Sequence, residues 1–138
     1  MTTSDAAPAK GRSIHVSAAV IVNERDELLL VRKAGTTAFM QPGGKPEPGE
    51  SPSQTLSREL LEELGLSVEA DTLRPLGSYT AAAANEPGFL VIAEVFETDI
   101  GAQVPVIGAE IEELRWVTRK DADGLEIAPL ARENFLPA

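Results

Sequence analysis

The chain has 138 residues, 43% of them hydrophobic and 25% charged, with no cysteine and a formal net charge of −10. This composition suits one globular unit and excludes a disulfide scaffold, a thiolate zinc site and a cysteine nucleophile. The acidic field disfavours duplex DNA and long RNA as partners. No apolar run approaches the ~18 residues of a membrane span, so the cytosol is the default location.

Residues 1–11, rich in Ala, Ser, Thr and Pro without periodicity, are expected to form a flexible leader, leaving 12–138 as a single domain. From Ile14 to Val22 the run is apolar and β-branched. A polar turn at 23–26 and the apolar segment Leu28 to Val31 follow, which predicts a hairpin. Four Gly and three Pro between Gly35 and Gly49 predict a loop.

At Ser51-Pro52-Ser53-Gln54 a capping hydroxyl, a proline at the first helical position and a glutamine three residues after the cap predict a helix start. Gly65 is its natural stop. Leu56, Leu60, Leu61 and Leu64 are expected to pack on one side. Strands are predicted at Val68 to Ala70, Leu73 to Ala82, Phe89 to Thr98 and Ile111 to Val117. A short acidic helical turn at Thr118 to Gly124 and a terminal helix from Ala128 to Phe135, with Leu130 inward, complete a mixed α/β layered domain.

Glu59, Glu62 and Glu63 stand at i, i+3 and i+4 on the predicted helix and share one face. Like charges at that spacing destabilise a helix, and a divalent cation would compensate them. Carboxylates are hard ligands suited to Mg²⁺. A solvated acidic face is the plainer account of such a cluster. The loop ahead of it, Gln41 to Glu50, shifts the balance, because Gly43 and Gly44 let backbone approach a metal or phosphate closely.

Taken together, Gly44, Glu50, Arg58, Glu59, Leu60, Glu62, Glu63, Gly65 and Leu66 match every fixed position of the Nudix box, spanning 44–66. The chain thus resembles the Nudix hydrolase family, and MutT-like nucleoside-diphosphate-linked pyrophosphohydrolases in particular. Pro42-Gly43 and Arg115-Trp116-Val117 extend the likeness. The resemblance implies an α/β/α sandwich around a mixed β-sheet, with a loop, helix and loop that bind Mg²⁺ or Mn²⁺. The implied metal ligands are Glu59, Glu62 and Glu63, with the Gly44 carbonyl as a further candidate. Arg58 and Glu50 match the pair that orients the catalytic carboxylates.

The activity so implied is hydrolysis of the pyrophosphate linkage of a small nucleotide, with a (d)NTP-like substrate favoured. A general base must face the attacking water. Glu63, Glu62 and the later Glu110 are the candidates, with Glu112 and Glu113 as rivals to Glu110. Phe39, Tyr79 and Phe89 are weighed as stacking partners for a base against the core positions that aromatic residues more often fill. Lys45, in the glycine loop, is a further candidate substrate contact. His15 reads as a surface or sheet residue and Trp116 as core or pocket wall.

ADP-ribose and dinucleoside polyphosphates find no support in Ala81 to Ala83, where related subfamilies carry a Pro or Tyr. Isopentenyl diphosphate isomerase chemistry lacks its cysteine. The alternatives are a non-catalytic Nudix-fold nucleotide-binding or regulatory module, and an interaction domain with a solvated glutamate face. A homodimer is left open.

Overall fold

The computed structural model describes residues 12–137. The segment 1–11, expected as a leader, lies outside the described residues. Strand β1 (Ser13–Val20) is the centre from which the rest is placed. It pairs in parallel with β5 (Leu90–Glu97) and antiparallel with the two-residue β3 (Gly43–Gly44); β4 (Arg74–Ala82) flanks β5 antiparallel. The result is a mixed four-stranded sheet in the order β3-β1-β5-β4.

The predicted hairpin is split. Its turn forms, with the Asn23 N–H donating to Glu27 O at 3.0 Å, and Val22 bridges Leu28. Beyond that point β2 (Leu28–Lys33) leaves β1 and pairs with β6 (Ile111–Val117) in a separate two-stranded antiparallel sheet. Alternation explains the parting. Ala19 and Ile21 of the first strand and Leu29 and Val31 of the second enter one apolar cluster, while Ala18, Val20, Leu28 and Leu30 enter another, so both strands are buried on two faces.

Helix α1 (Pro52–Leu64) starts and stops where the sequence predicts. The Gln54 N–H donates to Ser51 Oγ at 3.3 Å and the Ser51 N–H to Gln54 Oε1 at 2.9 Å, a reciprocal cap. Gly65 closes the helix at φ 64°. Leu56, Leu60 and Leu64 are fully buried against Ala19, Ile21, Leu29 and Val31. Leu61 is 57% exposed, contrary to the expected four-leucine face. Its neighbours at i−5, i−1 and i+3 define a stripe too narrow to include it.

The predicted strand at 68–70 is absent. Ser57 Oγ donates to Val68 O at 2.7 Å and Gln103 bonds both the N–H and O of Ser67, so this segment is tied to α1 and a later loop, and continues as a 3-10 turn at Ala70–Thr72. The strand expected from Phe89 begins one residue later, at Leu90. Helix α2 (Arg119–Ala122) carries a Thr118/Asp121 capping box, and helix α3 (Pro129–Asn134) buries Leu130 as expected.

Candidate active site

A cleft of about 650 Å³ opens where β3, the end of β2, α1 and α3 meet. One end is charged. Glu59, Glu62, Glu63 and Arg58 of α1 face it, together with Lys33, Lys45 and Glu110. The other end is formed by apolar side chains of β1, β5 and α3.

Two glycines decide how closely the loop meets the helix. A side chain at Gly43, whose φ is 151°, would collide with the Ser17 backbone carbonyl, and one at Gly44 would occupy the space of the Glu59 carboxylate. Both positions require the missing Cβ. The Gly43 N–H donates to Glu63 Oε1 at 3.2 Å, so loop and helix share a carboxylate.

Arg58 organises the rest. Its Nε and Nη2 donate to the two oxygens of Glu50 at 2.6 and 2.9 Å, its Nη1 reaches both Glu59 and Glu62 at 3.1 Å, and its Nη2 also meets Lys45 O at 3.1 Å. Arg58 holds the Glu50 carboxyl down at about 2, helped by the Glu47 N–H and the Thr55 hydroxyl, and the guanidinium is itself held above its ordinary value. Burial raises Glu59 against the pull of Arg58, and raises Glu63 further, to about 7.

These directions bear on the expected metal ligands. The three glutamates line one cleft, but no group of three His, Cys, Asp or Glu among the described residues stands in an arrangement ready to hold an ion. Arg58 grips Glu59 and Glu62, while Glu63 turns inward to the Gly43 N–H. The donor set nevertheless fits a hard cation. It consists of oxygens only, two of its carboxylates are raised by burial, and the Gly44 backbone lies against Glu59 with no side chain between.

Glu110 faces the cleft, and its neighbours explain how. Gly108 N–H donates to Glu63 O at 2.8 Å and Val106 N–H to Leu64 O at 2.9 Å, capping the end of α1. The Ala34 N–H bonds Glu110 O at 2.8 Å, and Ala109 between them adopts φ 43°. The rivals are occupied elsewhere. Glu112 and Glu113 pair with Arg32 at 3.0 and 3.2 Å, and Glu113 is held below its ordinary range by Arg115 and Arg32.

None of the three aromatic candidates lines the cleft. Phe39 is in the core, with the Arg115 guanidinium 5.6 Å from its ring centroid. Tyr79 packs edge-on against Phe135, centroids 4.9 Å apart. Phe89 sits at the mouth of the β4–β5 connection, its carbonyl accepting from the Ala83 N–H. In a small domain, rings are drawn to fill core volume. Lys45 does line the cleft, and His15 is exposed.

Sequence reasoning missed Lys33. The β2–β6 register shifts there, from Arg32 opposite Glu113 to Lys33 opposite Ile111, and such a bulge re-aims a side chain. No pattern in the sequence marks it beyond a basic pair at the strand end.

Comparison with known proteins adds four findings. Residues 12–138 match the family model described as NUDIX domain. A MutT-like protein of Streptomyces ambofaciens is 31% identical over 101 residues, covering 73% of this chain and 61% of that protein. The 8-oxo-dGTP diphosphatase of Escherichia coli is 35% identical over 60 residues, 41% of this chain and 46% of that protein. The chain thus spans less than two thirds of the length of these relatives. Among solved structures, a NUDIX hydrolase from Nitrosomonas europaea is 29% identical with a TM-score of 0.69, covering 88% of this chain and 84% of that one.

Proposed function

Because the chain belongs to the NUDIX domain family, we propose that it is a Mg²⁺-dependent pyrophosphohydrolase, with Mn²⁺ as a substitute, that cleaves the diphosphate linkage of a nucleoside-triphosphate-like substrate. The observation that carries this reading is the meeting of the box glutamates with Arg58, Lys33, Lys45 and Glu110 around one cleft. Likeness to the 8-oxo-dGTP diphosphatase of Escherichia coli supports a nucleotide as the small-molecule partner. The 12–138 segment is read as one catalytic unit.

Glu59, Glu62 and Glu63, with the Gly44 carbonyl, would hold the cation. When bound, it neutralises bridging phosphate oxygens and acidifies a water for attack at phosphorus. Lys33 and Lys45 meet the remaining phosphate charge. Arg58 fixes Glu59 and Glu62 through the anchor it finds in Glu50. The water's proton passes to a carboxylate that Arg58 does not grip; among the box glutamates and the later acid facing them these are Glu63 and Glu110. Products are a nucleoside monophosphate and pyrophosphate, or a nucleoside diphosphate and phosphate, according to the phosphorus attacked.

The test is a nucleotide panel with Mg²⁺, measuring phosphate and pyrophosphate release by wild type, Glu63→Gln and Glu110→Gln. Turnover of at least one substrate and loss of most activity in Glu63→Gln are expected. Equal rates for wild type and Glu63→Gln would remove the role assigned to Glu63; no turnover of any nucleotide would remove the function.

A further inference from the structure

The apolar end of the cleft holds a polar group that this reaction leaves unused. Gln41 is 7% exposed, and its Oε1 is the only buried side-chain N or O atom without a hydrogen-bond partner among the described residues. Register gives its place. Gly43 lies opposite Ala18, and the Ala19 N–H still donates to Pro42 O at 2.9 Å, so pairing runs on toward Gln41. Alternation then sets Gln41 on the face of Ala18, where Val16, Val91, Leu130 and Ala131 cluster.

The amide is fixed. Its Nε2 donates to Ala19 O at 3.0 Å, and turning it over would bring two carbonyl oxygens together. The free oxygen can only accept. A buried carbonyl left unpaired carries a desolvation penalty that a ligand's donor would remove.

We infer that Gln41 is a specificity-determining residue whose side-chain carbonyl accepts an N–H from the base of the substrate. The inference rests on reading the cleft as a nucleotide site. Phosphates belong with Lys33 and Lys45 beside the box glutamates, which leaves the apolar end for the base. No aromatic ring lines that end, so stacking does not do the selecting. A base edge with a ring N–H fits the fixed acceptor, and one with a nitrogen lone pair at the same place is repelled. Such a site discriminates through the group left unpaired by the wrong substrate.

The test compares kcat/KM for purine triphosphates that differ in whether an edge nitrogen donates or accepts, such as 8-oxo-dGTP against dGTP, in wild type and Gln41→Met. Methionine keeps the length of the side chain without the carbonyl. The wild type is expected to separate at least one such pair tenfold or more. The variant should lose at least tenfold on the favoured member, bring the ratio near one, and leave a base-free alkyl triphosphate within twofold of wild type. A uniform loss on every substrate, or an unchanged ratio, overturns the inference. Thermal melting checks that the variant folds. Should no nucleotide be hydrolysed, the proposed function fails separately. Dissociation constants of the nucleoside monophosphates, measured without metal, then decide: equal values for both proteins overturn the role of Gln41, and a tenfold difference confined to donor-bearing bases supports it. A crystal structure of the nucleotide complex with a water on Oε1 in place of a base N–H would also overturn it.

Discussion

Arg58 and Glu50 meet through two parallel contacts, 2.6 and 2.9 Å long, between a guanidinium edge and both oxygens of one carboxylate. The remaining Arg58 nitrogen thereby points at Glu59 and Glu62. Lysine has one charged nitrogen and cannot reproduce this fork. Arg58→Lys is expected to lower kcat by about 10–100-fold, the range for losing a group that orients ligands, and to raise the Mg²⁺ concentration needed for half-maximal rate. Steady-state rates across a Mg²⁺ titration check both.

Glu63 predicts a pH dependence of the metal-free protein. Its carboxyl titrates near 7 in the fold, against an ordinary value of 4.5. The folded state therefore binds the proton more tightly, and the stability so gained is present below pH 4.5 and lost as pH rises through 7. With the metal chelated, denaturant midpoints should fall over that window by an equivalent of roughly 2–3 kcal/mol. Glu63→Gln should remove this dependence while abolishing most activity, and Mg²⁺ should restore wild-type stability at pH 8. Glu50 has the opposite sign. Held at about 2, it stabilises above 4.5, and its contribution is lost as pH falls through 2.

Gly43 and Gly44 should fail in different ways. A methyl group at Gly43 meets the backbone of the neighbouring strand, which cannot retreat without breaking the sheet. Gly43→Ala should destabilise by about 2 kcal/mol or more. At Gly44 the obstacle is the Glu59 side chain, which can swing away. Gly44→Ala should fold with a denaturant midpoint near wild type and lose about 10²-fold in kcat.

Ala109 holds a left-handed conformation at φ 43°, a region that costs an alanine about 1 kcal/mol. Ala109→Gly should raise stability by about 0.5 kcal/mol once the extra freedom of the unfolded glycine is subtracted. Urea melts measure the gain. If this turn aims Glu110 at the reacting water, kcat should fall even as the protein becomes more stable.

Local chemistry was the part of the molecule legible from residues alone. The ends of α1 were readable because Ser51, Pro52, Gln54 and Gly65 act within one turn of themselves, and the glutamates because helical spacing is fixed. The split of β1 from β2 was not readable, since a two-faced apolar strand pairs equally well with a sequence neighbour or a distant partner. Leu61 failed because a leucine one step off the stripe looks like the rest. Phe39, Tyr79 and Phe89 were left between core and cleft because residue type does not tell one from the other. Lys33 and Gln41 owe their positions to a bulge and to a register extended past β3, both long-range products of pairing.

The chain between Gly108 and Glu110 is fastened at one end to the last turn of α1 and at the other to the exit of β2. Two carboxylates from opposite halves of the polypeptide are thus geared together. Any disturbance at the foot of the helix reaches the late strand within one peptide unit. Length changes between β5 and β6 will therefore be tolerated best beside the exposed Val104, between the contacts of Gln103 with Ser67 and of Val106 with Leu64, whereas even a single residue added inside the clasp would put the two acids out of step.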